Sequence, residues 1–401
     1  MMTKEKEFLV GLHAELLKDI NYNYSNDSTI IIDLVSVMGA LYYKDVTTKL
    51  KSKYRYIELS IPVFHPTIWS KNSRLIEKLF KWVSKDTLAI SFEELNDYPE
   101  GFVNGLPVGT NNSVTLFSGG LDSLAGAYYN YKNKLESDYL GFLNKNEEKT
   151  KQKDVAKFYR KIFSDSTAIT LINKPVKKKI SYLQSTRSLL YLALAVAKVF
   201  FNGGNNVYLY ENGILSLNPE LQNRYTTKTT HPKTMYIYQN LLDKLNIGVK
   251  IHHPFLFYTK GQIVNDMELE FKKVIRRTFT CGSSRLHPHR KHLGQCGICV
   301  PCILRKISLS AYNNERYDGD YAYSYEIKVR DIKEDYYRKD YESNLNYFDT
   351  YYNLIKSRQI YNHLHIRSKY YSTTDYRERN QMMLTNFSYE YERFIKRYAP
   401  Y

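Results

Sequence analysis

Residues 113–125 read SVTLFSGGLDSLA. The run 113–117 is short and apolar, as in a central parallel strand, and LDSLA opens a helical pattern. Between them stand Ser118, Gly119 and Gly120. An ordinary strand-to-helix turn is the plain reading. The functional reading is a cradle for a phosphate chain. Helix N-termini expose unpaired N–H groups and partial positive charge, and glycine lets backbone approach a ligand closely. Ser118 and Ser123 add hydroxyl donors. Asp122 would repel a phosphate directly, so it either caps the helix or helps hold Mg2+. Neither G-x-x-x-x-G-K-[ST] nor G-x-G-x-x-G is present, which excludes the two commoner phosphate motifs.

Outward from this turn the chain alternates. Strands are expected at 138–143, 166–172 and 205–214, and helices at 121–135, around 153–163 and at 188–204. The last helix is apolar almost all round and stops at Gly203 and Gly204. The alternation predicts an α/β fold with a parallel sheet and helices on both faces. Glu211 and Asn212 close a predicted central strand, where ligands bind in open α/β sheets. Before the turn, 54–64 alternates as a half-buried strand, 73–83 is an amphipathic helix and 87–92 a second strand. The Pro- and Gly-bearing stretch 96–112 reads as a linker. After about 310 the chain reads as helical and tyrosine-rich, with Leu345, Phe348, Tyr352 and Ile355 on one face and Phe387, Tyr391, Phe394 and Tyr398 on another. The expected organisation is an α+β N-terminal extension (1–110), a nucleotide-binding domain (111–310) and a helical C-terminal region (311–401).

The 401 residues carry a net charge of +17 and 43% hydrophobic residues, so the chain is globular with a positive field. That field suits nucleic acid, nucleotides or an acidic protein, or simply keeps the chain in solution. The 39 tyrosines read mainly as compositional bias. No apolar run reaches the length of a membrane span, and the N-terminus lacks a secretory pattern, so a cytoplasmic location is expected.

All four cysteines fall between 281 and 302: Cys281, then Cys296-x-x-Cys299-x-x-Cys302. A disulfide framework is out of place in a large chain without an export signal. Four thiolates suit a closed tetrahedral structural Zn2+ site, which leaves His287, His289 and His292 unnecessary as ligands. An iron–sulfur cluster is the alternative for this spacing.

S-G-G-x-D-S after an apolar strand resembles the pyrophosphate loop of the PP-loop ATP pyrophosphatases. Together with Cys281, Cys296, Cys299, Cys302 and Arg305, it resembles the QueC family, the 7-cyano-7-deazaguanine synthases, over roughly 113–310. The resemblance implies an adenine nucleotide alpha hydrolase-like fold. It also implies nucleotide contacts from Phe117, Ser118, Gly119, Gly120, Leu121, Asp122, Ser123 and Arg187, with Ser118, Asp122, Ser123, Arg187 and Lys260 serving catalysis. The implied reaction uses ATP and Mg2+ to adenylate 7-carboxy-7-deazaguanine, after which an amine forms an amide. The added termini and altered loops resemble the QueC-like proteins of anti-phage defence loci, the QatC group and its CBASS-associated counterparts. There the implied acceptor is the amino terminus of a partner protein. The alternatives are a housekeeping synthase using ammonia, a tRNA-modifying PP-loop enzyme, and a non-catalytic binding module. Absorption of every cysteine into one site argues against sulfur transfer to tRNA, and nucleic acid is not the favoured partner. The added surfaces suit protein docking or a homodimer. Glu211 and Asn212 would face the guanine-like ring. Thr229, Thr230 and His231 either line the pocket mouth or form a turn in which Thr230 caps a helix starting at Pro232.

Overall fold

The computed structural model describes residues 3–17, 26–50, 54–95, 111–143, 146–173, 176, 179–180, 184–222, 224, 226–282 and 294–401. The linker as far as residue 110, His287, His289 and His292 lie outside the described residues.

The N-terminal part runs α1 (Lys4–Leu17), α2 (Asn26–Thr47), β1 (Tyr56–Val63), α3 (Pro66–Ser84) and β2 (Thr87–Glu94). β1 buries alternate residues Ile57, Leu59, Ile61 and Val63, as its period-2 pattern predicts. It pairs with β2 in parallel. Parallel neighbours need a crossover, and α3 supplies it, burying Trp69, Ile76, Leu79, Phe80 and Val83.

The central part runs β3 (Ser113–Leu116), α4 (Leu121–Lys132), β4 (Asp138–Phe142), α5 (Asn146–Ile162), β5 (Ile169–Ile172), α6 (Arg187–Phe201), β6 (Asn206–Tyr208), α7 (Gly213–Leu217), α8 (Pro232–Lys244), β7 (Lys250–His252), α9 (Lys260–Asn265) and α10 (Leu269–Lys272). The five strands lie in the order β5-β4-β3-β6-β7, and every pair is parallel. Helices cover both faces. Val114, Leu140 and Val207 pack with α6, α8 and the N-terminal helices, whereas Phe117 and Tyr139 pack with α4, α5 and α9. The first of these cores is continuous from Phe8 to Val249, so the N-terminal elements are built onto the α6 face of the sheet.

Strand order reverses between β3 and β6, and the helices that follow them, α4 and α8, lie on opposite faces, the arrangement whose carboxyl-end crevice binds ligands in such sheets. The glycine turn leaves β3 there, and Glu211 and Asn212 follow β6.

A third core joins α11 (Val300–Ser310), α12 (Asp335–Lys356) and α13 (Tyr376–Tyr398) to the cysteines and α7. Leu345, Phe348, Phe387, Tyr391 and Phe394 are buried in it, while Tyr352, Ile355 and Tyr398 are partly buried at its edge. Among the described residues, no helix is long and apolar enough to cross a membrane.

Candidate active site and metal centre

The glycine turn is held from several sides. Phe117 C=O accepts from Gln152 Nε2 of α5 at 2.5 Å and from the Tyr191 hydroxyl of α6 at 2.7 Å. Gly119 C=O accepts from Phe279 N–H at 3.0 Å, and the Tyr159 hydroxyl reaches Ser123 C=O at 2.9 Å. Gly119 sits at φ +75°, and a Cβ there would lie 2.8 Å from Gln152 Cα, so both conformation and contact demand glycine. Ser118 and Ser123 face one another, their hydroxyls 2.7 Å apart, and Ser118 N–H donates to Ser123 Oγ. Gly120 is the N-cap of α4 and brings no side-chain acceptor, so no cap side chain takes up the first-turn amides, as an anion site would require.

Asp122 does not cap α4. Its Oδ2 accepts from Lys260 Nζ at 2.7 Å and from Asn212 Nδ2 at 3.0 Å, and the Lys260 and Asp122 side chains are only 2% and 9% exposed. The cap reading fails because these distant partners draw the carboxylate away from its own helix. Asp122 Oδ1 is buried with no hydrogen-bond partner among the described residues. Asn212 Nδ2 also donates to Glu211 Oε1 at 3.0 Å, while its Oδ1 accepts from Leu215 N–H as the N-cap of α7. Burial alone would raise the Asp122 carboxyl; the Lys260 ammonium, the neighbouring Glu211 carboxyl and the Asn212 hydrogen bond outweigh it and hold Asp122 below the usual range. Glu211 is driven well above that range, first by burial and then by the Asp122 charge. The two carboxyl groups are thus pushed in opposite directions, as expected when like charges share a site.

Lys260 is the first residue of α9, whose N-cap Thr259 forms a capping box with Gln262. Glu390 of α13 accepts from the Thr259 hydroxyl and bonds the Gly261 and Gln262 amides. Burial pushes its carboxyl up to about 8. His253 packs beside the centre, its Nε2 2.9 Å from Glu211 C=O, and burial pushes the ring down to about 4. The imidazole is thus neutral, Nε2–H donates to the carbonyl, and Nδ1 keeps a buried lone pair without a partner among the described residues.

Other expected contacts fall differently. Arg187 begins α6 one turn ahead of Tyr191, on the face turned toward Phe117. Leu121 is buried at the start of α4. His231, not Thr230, is the N-cap of α8: its Nδ1 accepts from Lys233 N–H at 3.0 Å and Nε2 donates to Leu364 C=O at 2.9 Å. With both nitrogens engaged and no exposure, His231 is a packed cap and does not line a pocket mouth. Thr230 Oγ1 lies 3.2 Å from Ser216 Oγ, itself 3.3 Å from His253 Nε2, so Thr230 reaches the centre through Ser216. Thr229 is half-buried in the turn before it.

The four cysteines are buried and unbridged, and their sulfurs lie within 4.8 Å of one another. Cys281–Cys299 and Cys296–Cys302 are each 3.9 Å apart, close to the ~3.8 Å edge of a tetrahedron with ~2.3 Å metal–sulfur bonds. The Ile298 and Cys299 amides point at Cys296 Sγ, as expected around a thiolate ligand. These residues fit a zinc ion with no open position. Arg305 is fully buried and binds Asp318 through Nε at 3.0 Å and Nη2 at 2.6 Å, Thr278 Oγ1 at 2.7 Å and Ile275 C=O at 2.8 Å. It therefore fixes the segment that carries Phe279 to the glycine turn and Cys281 to the metal centre.

Glu390, His253, Gln152 and Tyr191 carry no local motif, and no sequence signal singled them out. No family model and no curated protein matches the chain.

Proposed function

We propose that the chain is an ATP-dependent acid-activating enzyme, a QueC-like PP-loop ligase acting in anti-phage defence. The observation that carries this reading is the convergence at the strand-order reversal of a donor-rich turn, Ser118–Ser123, with the buried Asp122–Lys260 pair. The turn amides and serine hydroxyls would hold the β and γ phosphates of ATP. Lys260 and Arg187 would neutralise charge growing at the α phosphate. Asp122, through its unpartnered Oδ1, is the candidate ligand for the Mg2+ that accompanies ATP and offsets its charge.

A carboxylate oxygen of 7-carboxy-7-deazaguanine attacks the α phosphorus, and the bond to the β-phosphate oxygen breaks, releasing pyrophosphate. An amine nitrogen then attacks the acyl carbon, loses a proton and expels AMP, leaving an amide. Glu211 and Asn212 would recognise the guanine-like edge. The amine is assigned to the amino terminus of a partner protein, supported by the N- and C-terminal elements added around the sheet. The test supplies ATP, Mg2+ and the deazaguanine acid with either ammonium or a candidate partner protein, reading pyrophosphate and product mass. Pyrophosphate release with a base-sized mass gain on the partner supports the reading. Turnover with ammonium alone moves the chain to the housekeeping chemistry, and no pyrophosphate with either amine sinks the proposal.

A further inference from the structure

On the N-terminal side of the molecule, α3, α8 and the 3-10 turn Ser368–Tyr370 pack together and gather cations around one indole. Lys233 Nζ lies 3.7 Å from the centre of the Trp82 ring, and Lys228 Nζ lies 6.0 Å from it. His231 and His365 meet the same ring edge-on at 5.2 and 5.5 Å. Lys78 stands one helical turn before Trp82 on the same face of α3. Lys369 lies 5.8 Å from both the Tyr236 and the Tyr370 rings, which contact each other. The charges that act on Lys233 are Arg367, Lys369 and Lys78, all of its own sign, and with burial they lower its ammonium. Glu220 is the carboxylate whose field reaches Lys228 and His365, and it is already held by Lys85 at 2.5 Å. Lys78, Arg367 and Lys369 are exposed, and Trp82, Tyr236 and Tyr370 half-exposed.

Folding has thus concentrated like charges from three distant segments without matching anions among the described residues. That arrangement is unfavourable by itself and is relieved by a bound polyanion. Aromatic rings interleaved with cations separate a nucleic acid from an acidic peptide, because bases stack where carboxylates cannot. We infer that this face, centred on Trp82, Lys233, Arg367 and Lys369, is a binding site for single-stranded nucleic acid. The site does not depend on the acid-activating reaction. It adjoins that centre, since His231 contacts Trp82 and the neighbouring Thr230 leads through Ser216 to His253.

The experiment titrates the full chain against a short fluorescein-labelled single-stranded RNA, following anisotropy and tryptophan emission over a series of NaCl concentrations. The chain holds two tryptophans, and Trp69 is fully buried, so quenching reports Trp82. Binding should be saturable, with log K falling against log salt at a slope of about −2 to −3, from three or four phosphate contacts. K233E/R367E should weaken binding at least about tenfold and make the slope shallower by about 1.4, while K233Q/R367Q acts in the same direction with a smaller effect. K157E/K161E, an equal charge change on α5, should bind like the native chain. Circular dichroism and melting establish that each variant is folded. Polyglutamate of matched charge should neither quench Trp82 nor compete well. Unchanged affinity and slope in folded K233E/R367E and K233Q/R367Q would overturn the inference, and so would equal competition by polyglutamate.

Discussion

Replacing Lys260 with methionine removes the cation from a pair that is 2.7 Å long and nearly sealed from water, leaving the Asp122 carboxylate with only the Asn212 hydrogen bond. Deleting one partner of a buried pair costs about 3–5 kcal/mol. In a chain of this size that is a fall in melting temperature of about 4–6 °C at neutral pH. The cost should shrink as pH falls, because without Lys260 burial drives the Asp122 carboxyl up and protonation removes the stranded charge. D122N/K260M should recover most of the loss, so that the double variant costs less than the sum of the two single ones by at least about 2 kcal/mol. Thermal melts of the native chain, D122N, K260M and the double variant across pH provide the cycle. Single losses below about 1 kcal/mol that simply add would refute the reasoning, because they would describe an exposed, screened pair. In the same variants pyrophosphate release should drop by about two to three orders of magnitude, the usual scale for losing a charge stabiliser at a reacting centre.

Glu390 gives a pH signature. Between its ordinary value of 4.5 and about 8, the folded chain keeps a proton that the unfolded chain has lost, so this group makes stability fall as pH rises through that window. E390Q should flatten that part of the stability–pH curve, and an unchanged slope in melts would refute the assignment. G119A forces a Cβ into the left-handed region against Gln152 and should cost at least about 1–2 kcal/mol, checked by melting, with loss of nucleotide binding by calorimetry. Elemental analysis should find one zinc per colourless chain. Stripping it should lower the melting temperature and raise hydrogen exchange at Phe279, whose amide bonds Gly119, whereas broad visible absorption would point to an iron–sulfur cluster instead.

The glycine turn, the alternating sheet and the cysteine set were readable because each depends on neighbours in sequence: a positive φ, a period, a ligand spacing. Contacts made by the fold were not. Asp122 meets Lys260 across 138 residues and Glu390 meets Thr259 across 131, so nothing local revealed an ion pair or a helix clamp. Local capping rules favoured Thr230 and an Asp122 cap, yet tertiary partners chose His231 for α8 and drew Asp122 into the centre. The parallel pairing of β1 with β2 was equally hidden, since strand direction follows from how α3 crosses over and leaves no trace in the alternation of β1.

Carboxylate activation is the central claim, and oxygen transfer tests it most directly. The deazaguanine acid, labelled with oxygen-18 in its carboxylate, is incubated with ATP, Mg2+ and the amine acceptor, and the released AMP is analysed by mass spectrometry. One heavy oxygen in the AMP phosphate is the predicted result, because that oxygen attacked the α phosphorus and stayed there when the amide formed. Amide product accompanied by unlabelled AMP, or label in released phosphate instead, would contradict it.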